Sequence, residues 1–144
     1  MYIANEVHAP LFTDKGEFHI AGSLGTSGVN THIAYALTPH IGVMANGATI
    51  NWGSGEESGH NSYIDAGAGY FCPIGSNLIF ETYGGIGKGN VTDLYYDNKS
   101  FSDTKLCFLQ PSIGTELGKI KIGISGRMML AESRYHRLGV DTDI

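Results

Sequence analysis

The side chains in this chain that could do chemistry are six histidines, two cysteines and fourteen carboxylates. Holding a metal requires such ligands at spacings that converge on one point. His8, His19, His32, His40, His60 and His136 form no HxH, HxxH or HExxH arrangement. His19 and His32 are expected to meet across neighbouring strands as a hydrogen-bonded pair rather than as ligands. Cys72 and Cys107 fall on strands with another expected between them, too far apart to bridge, and read as small hydrophobes. The run Gly84-Gly85-Ile86-Gly87-Lys88-Gly89 lacks the GxxxxGK[ST] spacing of a phosphate loop, and no helix follows it. Asn90-Val91-Thr92 and Asn98-Lys99-Ser100 match glycosylation acceptors, a pattern with meaning only in a eukaryotic secretory pathway. Serines are plentiful, yet no spacing sets a nucleophile beside a base. No catalytic, cofactor-binding or metal residue is assigned, no cofactor is expected, and the chain reads as non-enzymatic.

With chemistry absent, architecture carries the information. A length of 144 residues suits one domain. Glycine contributes 21 of them, about twice the usual share, and charged residues are only 16%. Long helices are excluded, because each interior glycine costs about 1 kcal/mol relative to alanine. The net charge of −5 argues against a nucleic-acid partner. No apolar run approaches the 18 residues or so of a transmembrane helix. A β-rich chain remains.

Two-residue periodicity marks seven segments. They are Glu17–Leu24, Val29–Leu37, Ile41–Trp52 (the most ambiguous), Ser62–Cys72, Leu78 to about Lys88, Lys105–Leu117, and the Ile120-Ile122-Ile124 strand leading to Arg127. A poorly patterned tail from Glu132 to Ile144 could add an eighth. Connections alternate: tight at 38–40, 73–77 and 118–119, long and polar at 53–61 and 89–104. In an antiparallel meander, alternate connections fall at opposite ends of the sheet. The expected fold is therefore all-β, an antiparallel up-and-down meander β-barrel of about eight strands, with short turns at one end and long loops at the other. Segment lengths of eight to twelve residues match tilted membrane strands, about 9–11 residues long.

If the apolar face looks toward lipid, a lumen polar network is expected from Glu17, His19, His32, Asp65, Glu81, Glu116, Lys121 and Arg127, with Gln110 beside them. No Lys or Arg occurs between Gly16 and Gly87, so closure must bring the cations of the last strands to the carboxylates of the first. Trp52, Tyr63, Phe71 and Phe80 are the expected aromatic girdle. Tyr95, Tyr96 and Phe101 are the expected recognition residues of the second long loop, facing an unknown surface partner.

The stretches Ala9-Pro10-Leu11-Phe12-Thr13-Asp14-Lys15-Gly16-Glu17, Ala34-Tyr35-Ala36-Leu37, His40-Ile41-Gly42-Val43-Met44-Ala45-Asn46-Gly47, Gly67-Ala68-Gly69-Tyr70-Phe71 and Gln110-Pro111-Ser112-Ile113-Gly114 carry a family resemblance. Together, over residues 8–130, they resemble small uncharacterised outer-membrane β-barrel proteins of Gram-negative bacteria, often predicted to be lipoproteins. That resemblance implies transmembrane β strands in the outer membrane, with the lipid bilayer as a partner. It also implies an export signal, absent from this sequence, and a lipidated cysteine near Tyr2, where Met1 stands instead. The expected organisation is an N-terminal extended segment, 1–15, and a β-barrel domain, 16–144, whose last strand the closing Asp141-Thr142-Asp143-Ile144 leaves incomplete.

The expected function is surface recognition, adhesion or envelope integrity through the long loops of a barrel with a filled lumen. The alternative is a soluble barrel of the lipocalin or avidin type binding a small apolar ligand. It reverses the faces: Ile33, Tyr35, Ile120, Ile122 and Ile124 would line a pocket, while Glu81 and Lys121 would meet water.

Overall fold

A computed structural model describes residues 7–25, 28–54, 57–75, 77–95, 98–118 and 120–138. All regular structure in it is antiparallel β-sheet. The strands are β1 (Phe18–Gly25), β2 (Gly28–Ala36), β3 (Ile41–Ser54), β4 (Glu57–Ile74), β5 (Leu78–Tyr95), β6 (Asn98–Leu117), β7 (Ile120–Ser125) and β8 (Met128–Leu138). They pair in chain order as a meander from β1 to β7, with β8 also on β6, and the sheet curls into a half-barrel.

β7 and β8 share one line. Ser112 faces Ser125 and Leu109 faces Met128, a single uninterrupted register along β6. The gap at Gly126–Arg127 falls opposite Pro111, whose carbonyl accepts from the Gly126 N–H but which has no N–H to return. Eight strands thus occupy seven positions across the sheet. The expected eighth strand starts before Glu132 and continues the seventh.

The expected long loops are not loops. β3 pairs with β4 out to Ser54–Glu57, and β5 with β6 out to Tyr95–Asn98. The segments 53–61 and 89–104 are mostly ladder, so the two ends differ in how far the hairpins rise rather than in connection length. β4 and β5 each have 18 residues and β6 has 20. Composition misled here: Gly, Ser, Asn and Asp are turn formers, yet backbone pairing continues through them once register is set below.

Side chains alternate cleanly between the two faces. Toward the concave side point Ala34 and Ala36 of β2, Met44 of β3, Tyr63 and Phe71 of β4, Tyr83 of β5, and Leu106 and Phe108 of β6, all buried. Phe12, from the segment before β1, completes this cluster. Residues 7–13 thus fill the concavity rather than extending away from it. Leu11 is accommodated by Gly114, where a Cβ would lie only 2.6 Å from the leucine methyls. Gly69 allows the Tyr83 ring to lie across β4; a Cβ there would collide with that ring and with the Thr82 carbonyl oxygen. Gly69→Val should therefore cost about 1–3 kcal/mol, as overpacking does when backbone must move. Chemical denaturation would read this as a lowered midpoint, with Gly75→Val, where a Cβ meets open space but φ is +65°, as a purely backbone control.

Candidate functional site

The concave face carries the polar side chains. β2, β3 and β4 present His32, Asn46 and Asp65 as near neighbours, because His32 stands opposite Asn46 and Asn46 opposite Asp65. The His32 Nδ1–H donates to Asn46 Oδ1 at 2.8 Å, and Asn46 Nδ2 donates to Asp65 Oδ1 at 2.5 Å. Tyr63 Oη donates to Asp65 Oδ2 at 2.7 Å. Across the concavity, Arg127 Nη1 reaches the same oxygen at 2.8 Å, and both side chains of this ion pair are buried, at 2% and 0% exposure. Arg127 Nε and Nη2 donate to Gln110 Oε1, its own neighbour across the β6 ladder, at 2.9 and 2.6 Å. Its guanidinium carbon sits 4.3 Å above the Phe108 ring. Gln110 Nε2 then donates to the His8 carbonyl at 2.9 Å, tying the network to the N-terminal segment.

A second cluster lies toward the short turns. Glu17 accepts from the Thr13 N–H at 2.8 Å, the Thr13 hydroxyl at 2.5 Å and the Asp14 N–H at 2.6 Å. Lys121 Nζ approaches Glu17 Oε2 at 3.2 Å and donates to the Leu11 carbonyl at 2.9 Å. Leu11 N–H donates to Glu81 Oε2 at 3.0 Å. Leu11 holds a left-handed φ of +51°, costly for a residue with a branched side chain. The Glu81 carboxyl and the Lys121 ammonium grip its backbone on either side, and this holds it there.

Burial opposes ionisation of Glu17, but the Thr13 hydroxyl, the Thr13 and Asp14 N–H groups and the Lys121 ammonium together outweigh it, lowering its pKa from 4.5 to about 2.

Most of the expected lumen residues are inward, but they form two clusters rather than one. Asp65, Arg127 and His32 belong to the first; Glu17, Lys121, Glu81 and His19 to the second. His19 and His32 do not pair. His19 stands opposite Ala34, approaches Glu17 at 3.4 Å and sets its ring edge-on to Phe12; His32 stacks on His8 at 5.1 Å. Glu116 faces Lys121 in register, but no ion pair joins them among the described residues; it borders a small recess with Thr13 and Asn77 at the turn end. Among the described residues no three His, Cys, Asp or Glu side chains converge as metal ligands, and Cys72 and Cys107 are unbridged.

The girdle assignment requires correction. Tyr63 and Phe71 are buried inside, and the Trp52 ring lies over Gly59, on the concave-face register. Only Phe80 faces outward as expected. The outward aromatics near the short turns are Phe18, Tyr35, Tyr70 and Phe80, at the starts of β1 and β5 and the ends of β2 and β4. Strand parity identifies them; nearness to a strand end does not. Of the recognition residues, Phe101 is half-buried on β6, while the Tyr95 side chain and Tyr96 lie outside the described residues. Asn46, which links the halves of the first cluster, was missed because β3 is the strand with the weakest sequence pattern.

No protein-family model, curated protein or solved structure matches the chain.

Removing the carboxylate charge with Asp65→Asn leaves Arg127 buried and uncompensated, so a loss of about 3–5 kcal/mol is expected. Glu132→Gln, which breaks the exposed pair with Arg134 at 3.6 Å, should cost under about 1 kcal/mol. Similar denaturation midpoints for the two variants would contradict this ranking. For Glu17 the folded-state pKa is depressed, so its contribution is complete above about pH 4.5 and is lost as pH falls toward 2. Stability measured across that window should decline less in Glu17→Gln than in the unaltered chain.

Proposed function

We propose that this chain is a membrane-spanning β-sheet protein of the Gram-negative outer membrane. In this reading it is non-enzymatic, its interior is filled, and it acts through the tall hairpins in surface recognition, adhesion or envelope integrity. One observation carries the proposal: the convex face is a predominantly apolar band, broken only by residues such as Thr82 and Thr115, with a defined border. On β4 the outward positions run Ile74, Cys72, Tyr70, Ala68, Ala66 and Ile64 before Ser62. On β5 they run from Leu78 and Phe80 through Ile86 to Lys88; on β6, from Leu117 and Ile113 through Leu109 and Cys107 to Lys105. On β7 and β8 they run from Ile120, Ile122 and Ile124 through Met128 and Leu130 to Glu132.

Each run covers 9 to 11 residues. At about 3.3 Å per residue and a tilt near 45°, that corresponds to roughly 25 Å, the height of the apolar band of an outer-membrane barrel. Water would penalise this surface: Ile86 is 73% exposed, Ile124 78% and Leu130 77%, and contiguous apolar surface of this extent marks a membrane or partner contact. Beyond the border the same strands turn polar, with His60, Asn90, Thr92 and Asp103 outward, as suits hairpins that rise into water. The outward aromatics at the opposite end support a headgroup-level belt there.

The faces also weigh against the soluble lipocalin- or avidin-like alternative. Ile33, Tyr35, Ile120, Ile122 and Ile124 are exposed on the convex side, while Glu81 is fully buried and Lys121 grips Leu11 inside. The apolar set that a ligand pocket requires is turned outward.

The proposal expects the protein to be monodisperse only with a bound detergent belt, measured by light scattering with refractive-index detection. A monodisperse, detergent-free monomer would overturn it. Ile124→Lys, near mid-height of the band, should destabilise the lipid-inserted protein by about 2–4 kcal/mol, and Thr92→Lys, above the border, by about 0–1 kcal/mol.

A further inference from the structure

The border of the apolar band holds an arrangement that folding alone does not justify. Lys88 on β5 and Lys105 on β6 are direct cross-strand partners, both exposed on the convex face. Cross-strand neighbours sit with Cβ atoms about 5 Å apart, and like charges placed so are destabilising. Neither ammonium has an ion-pair partner among the described residues. The carboxylate that could help most, Glu132, stands opposite Lys105 on β8 but pairs with Arg134. On the other flank Lys88 stands opposite Ile64, and immediately below lie Ala66 and Ile86. Ala66 is short between two isoleucines, and the result is a shallow convex-face depression of about 490 Å³ with an apolar floor and the two lysines at its upper edge.

Two unpaired cations above an apolar trough, at the height where hydrocarbon would give way to headgroups, match one ligand chemistry. Resting on the membrane reading above, we infer that Lys88 and Lys105 bind the phosphate of an anionic membrane lipid, with its acyl chain lying along Ile64, Ala66 and Ile86. The phosphate oxygens accept from both ammonium groups, which turns a repulsive pair into a clamp. The chain adds apolar contact that a free anion lacks.

The test uses the full chain folded in a neutral detergent and titrated with dihexanoyl phosphatidylglycerol, dihexanoyl phosphatidylcholine or inorganic phosphate, with binding followed by calorimetry. The phosphatidylglycerol should bind at least tenfold tighter than the phosphatidylcholine. Lys88→Gln/Lys105→Gln should lose about 30-fold of that affinity, since each lysine near an anionic headgroup contributes about fivefold. Lys88→Arg/Lys105→Arg should retain most of it. Inorganic phosphate at the same concentration should not displace the lipid.

Equal binding of the two lipids, or an unchanged affinity in the glutamine variant, overturns the inference while leaving the membrane reading intact. Displacement by inorganic phosphate overturns it in favour of a free-anion site. Absence of a detergent belt overturns the membrane reading and the inference with it.

Discussion

The ion pair between Asp65 and Arg127, 2.8 Å long and shielded from water on both sides, is the contact on which the concave side depends. Taking either charge into a protein interior alone costs several kcal/mol, so neither residue could occupy its place without the other. Because Asp65 lies in the middle of β4 and Arg127 at the junction of the last two strands, the pair draws the far edge of the sheet over its centre. Arg127 points inward because it stands opposite Gln110, an inward position of β6, in the register that β7 and β8 share. Gln110 completes the tie by accepting two further N–H groups of the same guanidinium.

Around that tie the usual placement of residues is inverted. Apolar side chains occupy the convex face, and the concave face holds carboxylates, amides and the Lys121 and Arg127 cations packed beside an aromatic cluster. Such an interior must satisfy nearly every polar atom it contains. The N-terminal segment does much of this: its Leu11 N–H and carbonyl, its His8 carbonyl and its Thr13 and Asp14 N–H groups serve Glu81, Lys121, Gln110 and Glu17. The segment is as much a part of the interior as any strand. Glycines at 69 and 114 complete the fit by leaving room for Tyr83 and Leu11.

The sequence made the face of nearly every strand legible, because period-two alternation survives wherever one side is apolar. Ile120, Ile122 and Ile124 against Lys121 is the clearest case, and the structure places them as the pattern implies. The same logic put Asp65, Glu81 and Arg127 on one side. It could not say which carboxylate meets which cation, since that depends on shear and curl rather than on spacing. It also failed above the band, where both faces of a hairpin are polar and alternation vanishes; residues 53–61 and 89–104 look like loops for that reason. Tyr63 and Phe71 were assigned by their distance from strand ends, a weaker criterion than the parity that Asp65 and Tyr70 already supplied. The docking of residues 7–13 left no periodic trace, because an extended plug is held by backbone groups that every residue possesses.

The odd count of strand positions constrains the membrane reading further. With β7 and β8 collinear, seven positions separate the two edges, so β1 and the last edge run in the same direction. In hydrocarbon every backbone N–H and C=O must be paired, and antiparallel up-and-down barrels achieve this with an even number of strands. A closed antiparallel wall therefore requires one more strand between β1 and the β7–β8 edge, running opposite to both. The N-terminal segment already spans the inner side of that gap. It runs directly into β1, where the Gly16 N–H on the Ala36 carbonyl extends the ladder with β2, and it is joined to the β7 side through Lys121 on the Leu11 carbonyl. These bonds set the spacing of the two edges from within, independently of the strand that would fill the wall between them.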